Sequence, residues 1–210
     1  MMLRLLMVCS GLYVLFIRPW HVRWGATDQE VTDSLPGDER VPRPVLQATR
    51  AITIDAPAEA VWPWLAQMGW RRAGWYTFPI VDALDLRAQD GHVLGSQLVK
   101  RIVPELQHPQ VGDLLDPTGF RVASVEPNAA LVLEIRGGIQ GMPWLAGDST
   151  WAFVLHPLDA QHTRLIERWR LDFPRTLRMQ LFWGLVECVD FVMQRTQLRH
   201  IKLLAERAAA

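Results

Sequence analysis

The chain has 210 residues, no net charge and a hydrophobic fraction of 50%. This composition excludes a disordered chain, and 22 basic against 22 acidic residues argue against a nucleic-acid-binding protein, because phosphate binding requires a basic surplus. The chain also has 10 tryptophans against 2 tyrosines and 7 phenylalanines. This excess predicts a thick core, an apolar ligand pocket or membrane contact.

The first predicted element is an apolar segment, residues 1–20, in which a long run carries no charge. The run is shorter than the roughly 20 residues that a membrane span needs. However, Trp20 and Trp24 lie beside arginines, a pattern typical of the lipid headgroup region. We therefore predict a membrane anchor in residues 1–20, with membrane contact through residues 1–24; a helix docked on the domain and a cleaved signal peptide are the alternatives. More positive charge follows the segment than precedes it, so we expect the folded domain on the cytoplasmic side of the membrane, anchored or peripheral; a soluble cytoplasmic protein is the alternative.

Residues 21–47 are rich in proline and acidic residues and show no apolar period, which predicts an extended arm or linker over the surface. The domain proper is expected to span residues 48–210. It opens with a strand over 48–54, where β-branched residues alternate with others. Apolar residues at i, i+3, i+4 and i+7 from Val61 then predict a helix, with Asp55 as its N-cap.

The rest of the chain is predicted to form strands and then one long helix. A short helix is expected over 80–86, and strands are expected over 111–115, 120–125, 129–136, 150–155 and 163–173. Residues 175–207 contain no proline, and apolar residues from Phe182 to Met193 form a helical stripe that continues to Leu204. A helix this long requires a surface to cover its stripe.

This order of elements is typical of an α+β fold. A first strand is followed by short helices, an antiparallel meander and a long C-terminal helix. We expect a curved antiparallel sheet wrapped round that helix, with a cavity between the two.

The sequence carries no motif of a metal or cofactor site. Its six histidines and two cysteines show no ligand spacing, and no phosphate-binding loop, dinucleotide-binding glycine motif or hydrolase serine motif occurs. We therefore expect neither a metal nor a cofactor.

The run from Ala48 to Leu65 resembles the opening of a known superfamily. A first strand ends in Asp55-Ala56-Pro57, and a helix with Val61-Trp62 follows, as in the START-type helix-grip superfamily (SRPBCC) of polyketide cyclases/dehydrases and lipid-transport proteins. Further segments that resemble an uncharacterised bacterial branch of it are residues 24–27, 104–107, 111–113 and 191–195. The resemblance covers roughly residues 24–205. It implies a helix-grip fold with a hydrophobic pocket between sheet and long helix, and no universal catalytic residue.

Side-chain alternation indicates which residues of the last strand face the pocket. Arg164, Arg168 and Arg170 share one face, which we expect to be exposed to solvent, so that Glu167 and Trp169 point inward. A raised pKa would suit such a carboxyl for proton transfer near neutral pH. Glu167 is accordingly interpreted as a general acid/base or ligand anchor, or else as a structural partner of a tryptophan N–H or an arginine.

No residue is assigned as catalytic, and the candidates are Glu167, Glu105 and His108. The last two form a Glu-x-x-His pair on a loop between prolines, either a proton relay at the pocket mouth or solvated loop residues. The residues expected to bind the ligand come from elements that should surround the cavity: Trp64, Trp75, Tyr76, Phe78, Leu133, Trp151, Phe153, Glu167, Trp169, Phe182, Val186 and Val189.

Three functions are compatible with these features. The leading hypothesis is binding or transport of a hydrophobic small molecule, lipid-like or polyketide-like, without catalysis. The first alternative is a polyketide cyclase/dehydratase-like enzyme that uses a pocket carboxylate. The second is a protein-interaction module whose tryptophan-rich surface contacts a partner. The sequence leaves the oligomeric state open.

Overall fold

The fold is organised around a five-stranded antiparallel sheet. The computed structural model describes residues 13–70, 72–77, 100–142 and 144–210. The strands of the sheet are β1 (Leu46–Ile54), β2 (Arg121–Glu126), β3 (Ala130–Ile135), β4 (Ser149–Pro157) and β5 (Thr163–Leu171). Their order across the curved sheet is β1-β5-β4-β3-β2, so that β1 and β2 are its edges.

Helices lie around this sheet, and the longest of them ends the chain. In chain order they are α1 (Arg18–His21), which continues a π-type turn at Tyr13–Ile17, α2 (Asp28–Thr32), α3 (Ala58–Ala66) and α4 (Leu177–Ala209), with 3-10 turns at Asp38–Arg40 and Pro104–Leu106. The predicted α+β class, with short helices after the first strand and a long C-terminal helix, is confirmed. In the described part of the chain, no helix combines the length and the apolar character that crossing a bilayer requires.

Three local predictions need correction or fall outside the structure. Residues 111–115 do not form a strand, because the Asp113 carboxylate accepts the backbone N–H of Gln110 and closes a turn. Asp55 does not cap α3, whose N-cap is Pro57. The Asp55 carboxylate is instead 3.3 Å from the ammonium of Lys202 on α4. The helix predicted over 80–86 lies outside the described residues.

The inner face of the sheet packs on α3 and on the second half of α4. Alternate residues of the strands point to this face, as the period of two requires. The fully buried side chains of this core include Val61, Leu65, Leu131, Leu133, Phe153, Leu165, Leu198 and Ile201. These contacts hold the C-terminal half of α4 against the sheet.

The outer face of β5 is covered by the arm, which corrects the prediction that its arginines are exposed to solvent. Arg168 is 1% exposed. Its guanidinium donates to the Asp38 carboxylate at 2.6 Å and to the carbonyls of Glu30, Val31 and Asp33. The carbonyls at the C-terminal end of α2 and the Asp38 carboxylate thus accept the hydrogen bonds of this buried guanidinium, which is why the polar arm can lie closely on the sheet.

The edge of β1 is covered by the chain that leaves α1. The backbone N–H groups of Thr49 and Ala51 donate to the carbonyls of Val22 and Trp24 at 2.8 and 3.1 Å. Gly25 follows with φ +73, and a Cβ there would lie 2.1 Å from the Ala51 carbonyl oxygen. This approach requires glycine, and it leaves less of the edge open to pair with another strand.

The first half of α4 departs from the sequence prediction. Periodicity predicts that the whole apolar stripe is covered, but Leu185 is 68% exposed and Val189 is 57% exposed. By contrast, Leu198 and Ile201 in the second half are fully buried. The sheet therefore covers only the later part of the stripe, and the first half of the helix stands off it.

Candidate functional site

A cavity of about 350 Å³ lies where the first half of α4 stands off the sheet. Its walls are the inner faces of β3, β4 and β5, one side of α4 and the loop between β3 and β4. Most lining residues are apolar: Phe120, Ile135, Ile139, Leu145, Trp151, Trp169, Leu171, Trp183, Val186, Val189 and Met193. The volume is at the lower end of the range of small-molecule sites.

Three indoles form much of the cavity wall. Trp151 and Trp169 are directly opposite each other on β4 and β5. The Trp169 N–H donates to the Ser149 hydroxyl at 2.9 Å, and its ring meets that of Trp183 edge to face at 6.1 Å. Trp75 stacks on Trp151 at 5.2 Å from outside the lining. These contacts fix the rings, so the cavity has a rigid aromatic wall.

Apart from Ser149, which accepts the Trp169 N–H, the polar lining residues fall into two groups. Asp116 stabilises the loop that it belongs to. One of its carboxylate oxygens accepts hydrogen bonds from the N–H groups of Thr118, Gly119 and Phe120 and from the Thr118 hydroxyl. Burial raises the pKa of this carboxyl. The other group lies on α4, where the Gln194 amide donates to the Asp190 carboxylate at 2.7 Å. This pair is a polar part of the cavity wall.

Asp190 connects the cavity to a cluster of charged residues. This charge cluster consists of Arg50, Arg18, Asp190, Glu167 and Glu187. The Arg50 guanidinium, which is fully buried, lies 3.1 Å from the Asp190 carboxylate and also donates to the His21 carbonyl at 3.0 Å. Burial raises the pKa of Asp190 to about 7, although the Arg50 charge acts in the opposite direction. Its side chain keeps 19% exposure. Asp190 is therefore a carboxyl at the cavity wall that titrates near neutral pH.

Glu167 is the second carboxyl of the cluster, directly opposite Arg50 across the β1–β5 pair. It is 1% exposed and accepts the Trp151 N–H at 2.5 Å. Its other carboxyl oxygen has no hydrogen-bond partner among the described residues. Burial raises the pKa of Glu167 to about 8, against the lowering effect of Arg50, so this side chain is mainly protonated at pH 7.

The third carboxyl, Glu187, connects α1 to α4. The Arg18 side chain donates to it at 3.0 Å, and burial raises the pKa of Glu187. Next to it, the Tyr13 hydroxyl lies 3.0 Å from the Cys188 sulfur and 2.8 Å from the His21 ring. Burial lowers the pKa of His21 to about 4, so the imidazole is neutral at pH 7.

The cluster as a whole has more buried acids than cations. Arg50 and Arg18 face three carboxyls, so the group would carry a net negative charge if all were ionised. A proton on Glu167 removes that charge, and a buried carboxyl binds a proton for this reason. The cluster can therefore take up and release a proton close to pH 7.

The structure distributes the predicted ligand-binding residues over three environments. Those that line the cavity are Trp151, Trp169, Val186 and Val189. Those buried in the main core, away from the lining, are Trp64, Tyr76, Leu133 and Phe153. The remaining ones are Glu167 and Trp75, which both contact Trp151, and Phe182, whose ring packs on Trp144 and Trp183. Phe78 lies outside the described residues.

The loop pair predicted as a proton relay is not at the cavity. Glu105 and His108 are both outside the lining; Glu105 is exposed and His108 lies on the same surface loop. Among the described residues, no group of three or more His, Cys, Asp or Glu could hold a metal ion.

Sequence reasoning missed Arg50, Trp183 and Gln194. A signal for Arg50 was present, since alternation in β1 puts it on the same face as Ile52 and Ile54. Its partner Asp190 is 140 residues away, and no local pattern connects the two. Trp183 lies one residue from the predicted stripe, on the side of α4 that faces the sheet.

No protein-family model matches the chain, and neither does any curated protein. Solved structures share the sheet and the C-terminal helix. A protein from Mesorhizobium loti is 16% identical, with a TM-score of 0.42 over 77% of this chain and 98% of that one. A protein from Arthrobacter aurescens is 13% identical, with a TM-score of 0.45 over 84% and 92%. DynU16, from the dynemicin biosynthetic locus, is 15% identical, with a TM-score of 0.35 over 74% and 47%. At these TM-scores the likeness carries no argument about function.

Proposed function

We propose that this protein binds or transports a hydrophobic small molecule in the cavity between the sheet and α4, and that it belongs to the START-type helix-grip superfamily. The observation that carries the proposal is the composition of the cavity wall. Apolar and aromatic side chains line most of it, and its polar groups are few. Sites that desolvate an apolar ligand have this composition.

The size of the cavity restricts the ligand. A volume of about 350 Å³ suits a compact, ring-containing molecule or a short chain better than a two-chain lipid. The flat walls of Trp151, Trp169 and Trp183 favour a planar or polycyclic body. The pair of Asp190 and Gln194 in the wall favours a hydroxyl or carbonyl group beside it, since the pair can both donate and accept hydrogen bonds.

Native mass spectrometry of the full chain, purified under mild conditions, tests the proposal. We expect a bound small molecule, or uptake of the neutral fluorophore N-phenyl-1-naphthylamine with a rise in its emission. In Val186→Trp the added indole fills the cavity, so both signals should disappear. Leu203→Trp is the matched control, because it adds the same group at an exposed position of α4. A preparation that neither carries a ligand nor takes up the fluorophore would refute the proposal.

A cyclase/dehydratase-like enzyme is the second candidate function, and one observation favours it. Asp190 lies in the cavity wall with a pKa of about 7, and Glu167 nearby has a pKa of about 8. Carboxyls with such values can accept a proton and return it within one catalytic cycle. Asp190, rather than Glu167, is in direct reach of a bound molecule.

The enzyme hypothesis predicts separate effects on chemistry and binding. Deuterium exchange at the α-carbon of an aryl ketone such as acetophenone would report proton abstraction in the cavity. Asp190→Asn should abolish this exchange while fluorophore binding survives, and Glu167→Gln should reduce it. Absence of exchange in the unmodified protein, or equal loss of exchange and binding, would support binding alone.

A further inference from the structure

The first half of α4 carries an exposed apolar face. Its side chains are each about half or more exposed: Leu177, Leu181, Leu185, Val189 and Val192. At 100° per residue these five positions fall within an arc of about 120° on the helix surface. That arc is continuous and points away from the sheet. We refer to these five residues as the apolar face of α4.

The π-type turn at Tyr13–Ile17 and α1, which together we call the N-terminal helical segment, extend this face. Trp20 packs edge to face on Phe191 of α4 with 5.3 Å between the ring centroids, so the segment contacts α4. The segment exposes its own large apolar side chains: Leu15, Phe16, Ile17 and Trp20. Exposed apolar patches of this extent mark interaction surfaces in soluble domains.

The exposed charges within the two segments that form this surface, residues 13–24 and 175–194, are of one sign. Residues 13–24 and 175–194 contain only two acids, Glu187 and Asp190, and both are turned inward into the charge cluster. Arg175 and Arg178 are exposed, whereas Arg18, although partly exposed, is paired with Glu187. Arg178 falls within the arc of the apolar face. The surface thus combines apolar side chains with cations, and residues 13–24 and 175–194 add no exposed acid to it.

We propose that the apolar face of α4, with the N-terminal helical segment, docks on the surface of an anionic lipid bilayer. Apolar side chains would enter the acyl boundary, while the long arginine side chains reach the lipid phosphates. Trp20 lies at the edge of the face, and an indole is favoured at the headgroup level. The positive charge of this surface complements an anionic bilayer rather than a second copy of this chain. In a symmetric dimer the same surface would face itself, so Arg178 would be buried among arginines without an acid from these segments to pair with.

The cavity reaches this surface, which gives the docking a consequence for ligand exchange. Val189 belongs to the apolar face and also lines the cavity. A docked molecule therefore presents one wall of its cavity to the bilayer. The docking itself does not depend on the proposed ligand binding and can be tested without a ligand.

Flotation of the full chain with lipid vesicles tests this proposal. One set of vesicles is phosphatidylcholine, and the other contains equal parts of phosphatidylcholine and phosphatidylglycerol. We expect binding to the anionic vesicles, weaker binding to the neutral ones, and a loss of binding as salt is added. The double variant Leu181→Asp/Leu185→Asp should weaken the binding by roughly tenfold or more, since both side chains would leave the acyl boundary.

The matched control is Leu158→Asp/Val111→Asp, which makes the same change at two exposed residues away from α4. All four positions are exposed, so we expect unchanged circular dichroism and melting. Arg178→Glu should remove the preference for anionic vesicles. Three outcomes would overturn the proposal: no binding by the unmodified chain, equal binding by both double variants, or a solution dimer that Leu181→Asp/Leu185→Asp dissociates. The last would make the face an interface between copies.

Discussion

Replacing Glu167 by glutamine should remove the part of the pH dependence of stability that this buried carboxyl contributes. The pKa of this carboxyl is about 8 in the fold, against an ordinary value of 4.5. The folded protein therefore holds a proton that the unfolded chain releases. A raised pKa of this kind contributes stability that is complete below pH 4.5 and is lost as pH rises through about 8. The amide that Glu167→Gln introduces is neutral at every pH and carries no such dependence.

The magnitude follows from the size of the shift. Between pH 6 and the folded pKa, each pH unit reduces the free energy of unfolding by about 1.36 kcal/mol. From pH 6 to pH 9 the contribution of Glu167 should therefore fall by about 2 to 3 kcal/mol. At pH 6 the two proteins should differ little, because the protonated carboxyl and the amide have similar shape and charge. At pH 9 the variant should be the more stable by nearly the whole amount.

Urea denaturation of both proteins at half-unit steps from pH 5.5 to 9 measures this difference. Glu126→Gln is the control, because Glu126 lies at the exposed end of β2 and its loss should leave the profile of the unmodified protein unchanged. Parallel profiles for Glu167→Gln and the unmodified protein would refute the reasoning, since they would show that Glu167 is ionised in the fold at neutral pH. The same result would weaken the enzyme hypothesis.

Three further substitutions test the structure. Arg50→Met removes the cation of Asp190, whose carboxyl should then protonate, and should lower the free energy of unfolding by about 1 to 3 kcal/mol in urea titrations at pH 8; an unchanged free energy would contradict the cluster. Gly25→Ala puts a Cβ against a carbonyl at a positive φ and should cost at least about 1 to 2 kcal/mol, with faster proteolysis of residues 26–45; unchanged proteolysis would contradict this close approach. Asp38→Ala leaves Arg168 buried without its carboxylate and should cost about 3 to 5 kcal/mol by thermal melting, with Asp33→Ala as the exposed control.

The sheet and the long helix could be predicted from the sequence because each rests on local periodicity. The turn between β2 and β3 contains Pro127 and Asn128, and the strands on either side alternate in the expected way. The absence of proline after residue 175 predicted α4 to within two residues at each end. The apolar stripe of α4 also predicted that the second half of this helix is buried. These features need no knowledge of the rest of the fold.

The candidate site could be predicted only in part, because its main contacts join distant parts of the chain. Alternation correctly put Glu167 and Trp169 on the inner face of β5. It could not show that the arm covers the other face, since Arg168 is held by backbone carbonyls, which any sequence provides. Nor could it show that Asp190 and Arg50 meet.

The position of Asp190 joins the two proposals made for this protein. Its carboxylate lines the cavity and also holds Arg50, whose guanidinium donates to the carbonyl of His21 at the end of α1. A ligand that favours the neutral carboxyl weakens the ion pair with Arg50 and so loosens one tie between α1 and the sheet. By reciprocity, if a bound ligand changes the affinity for the bilayer, the bilayer changes the affinity of the cavity for the ligand by the same factor. The charge cluster is therefore the part of the fold through which membrane contact and ligand binding would influence each other.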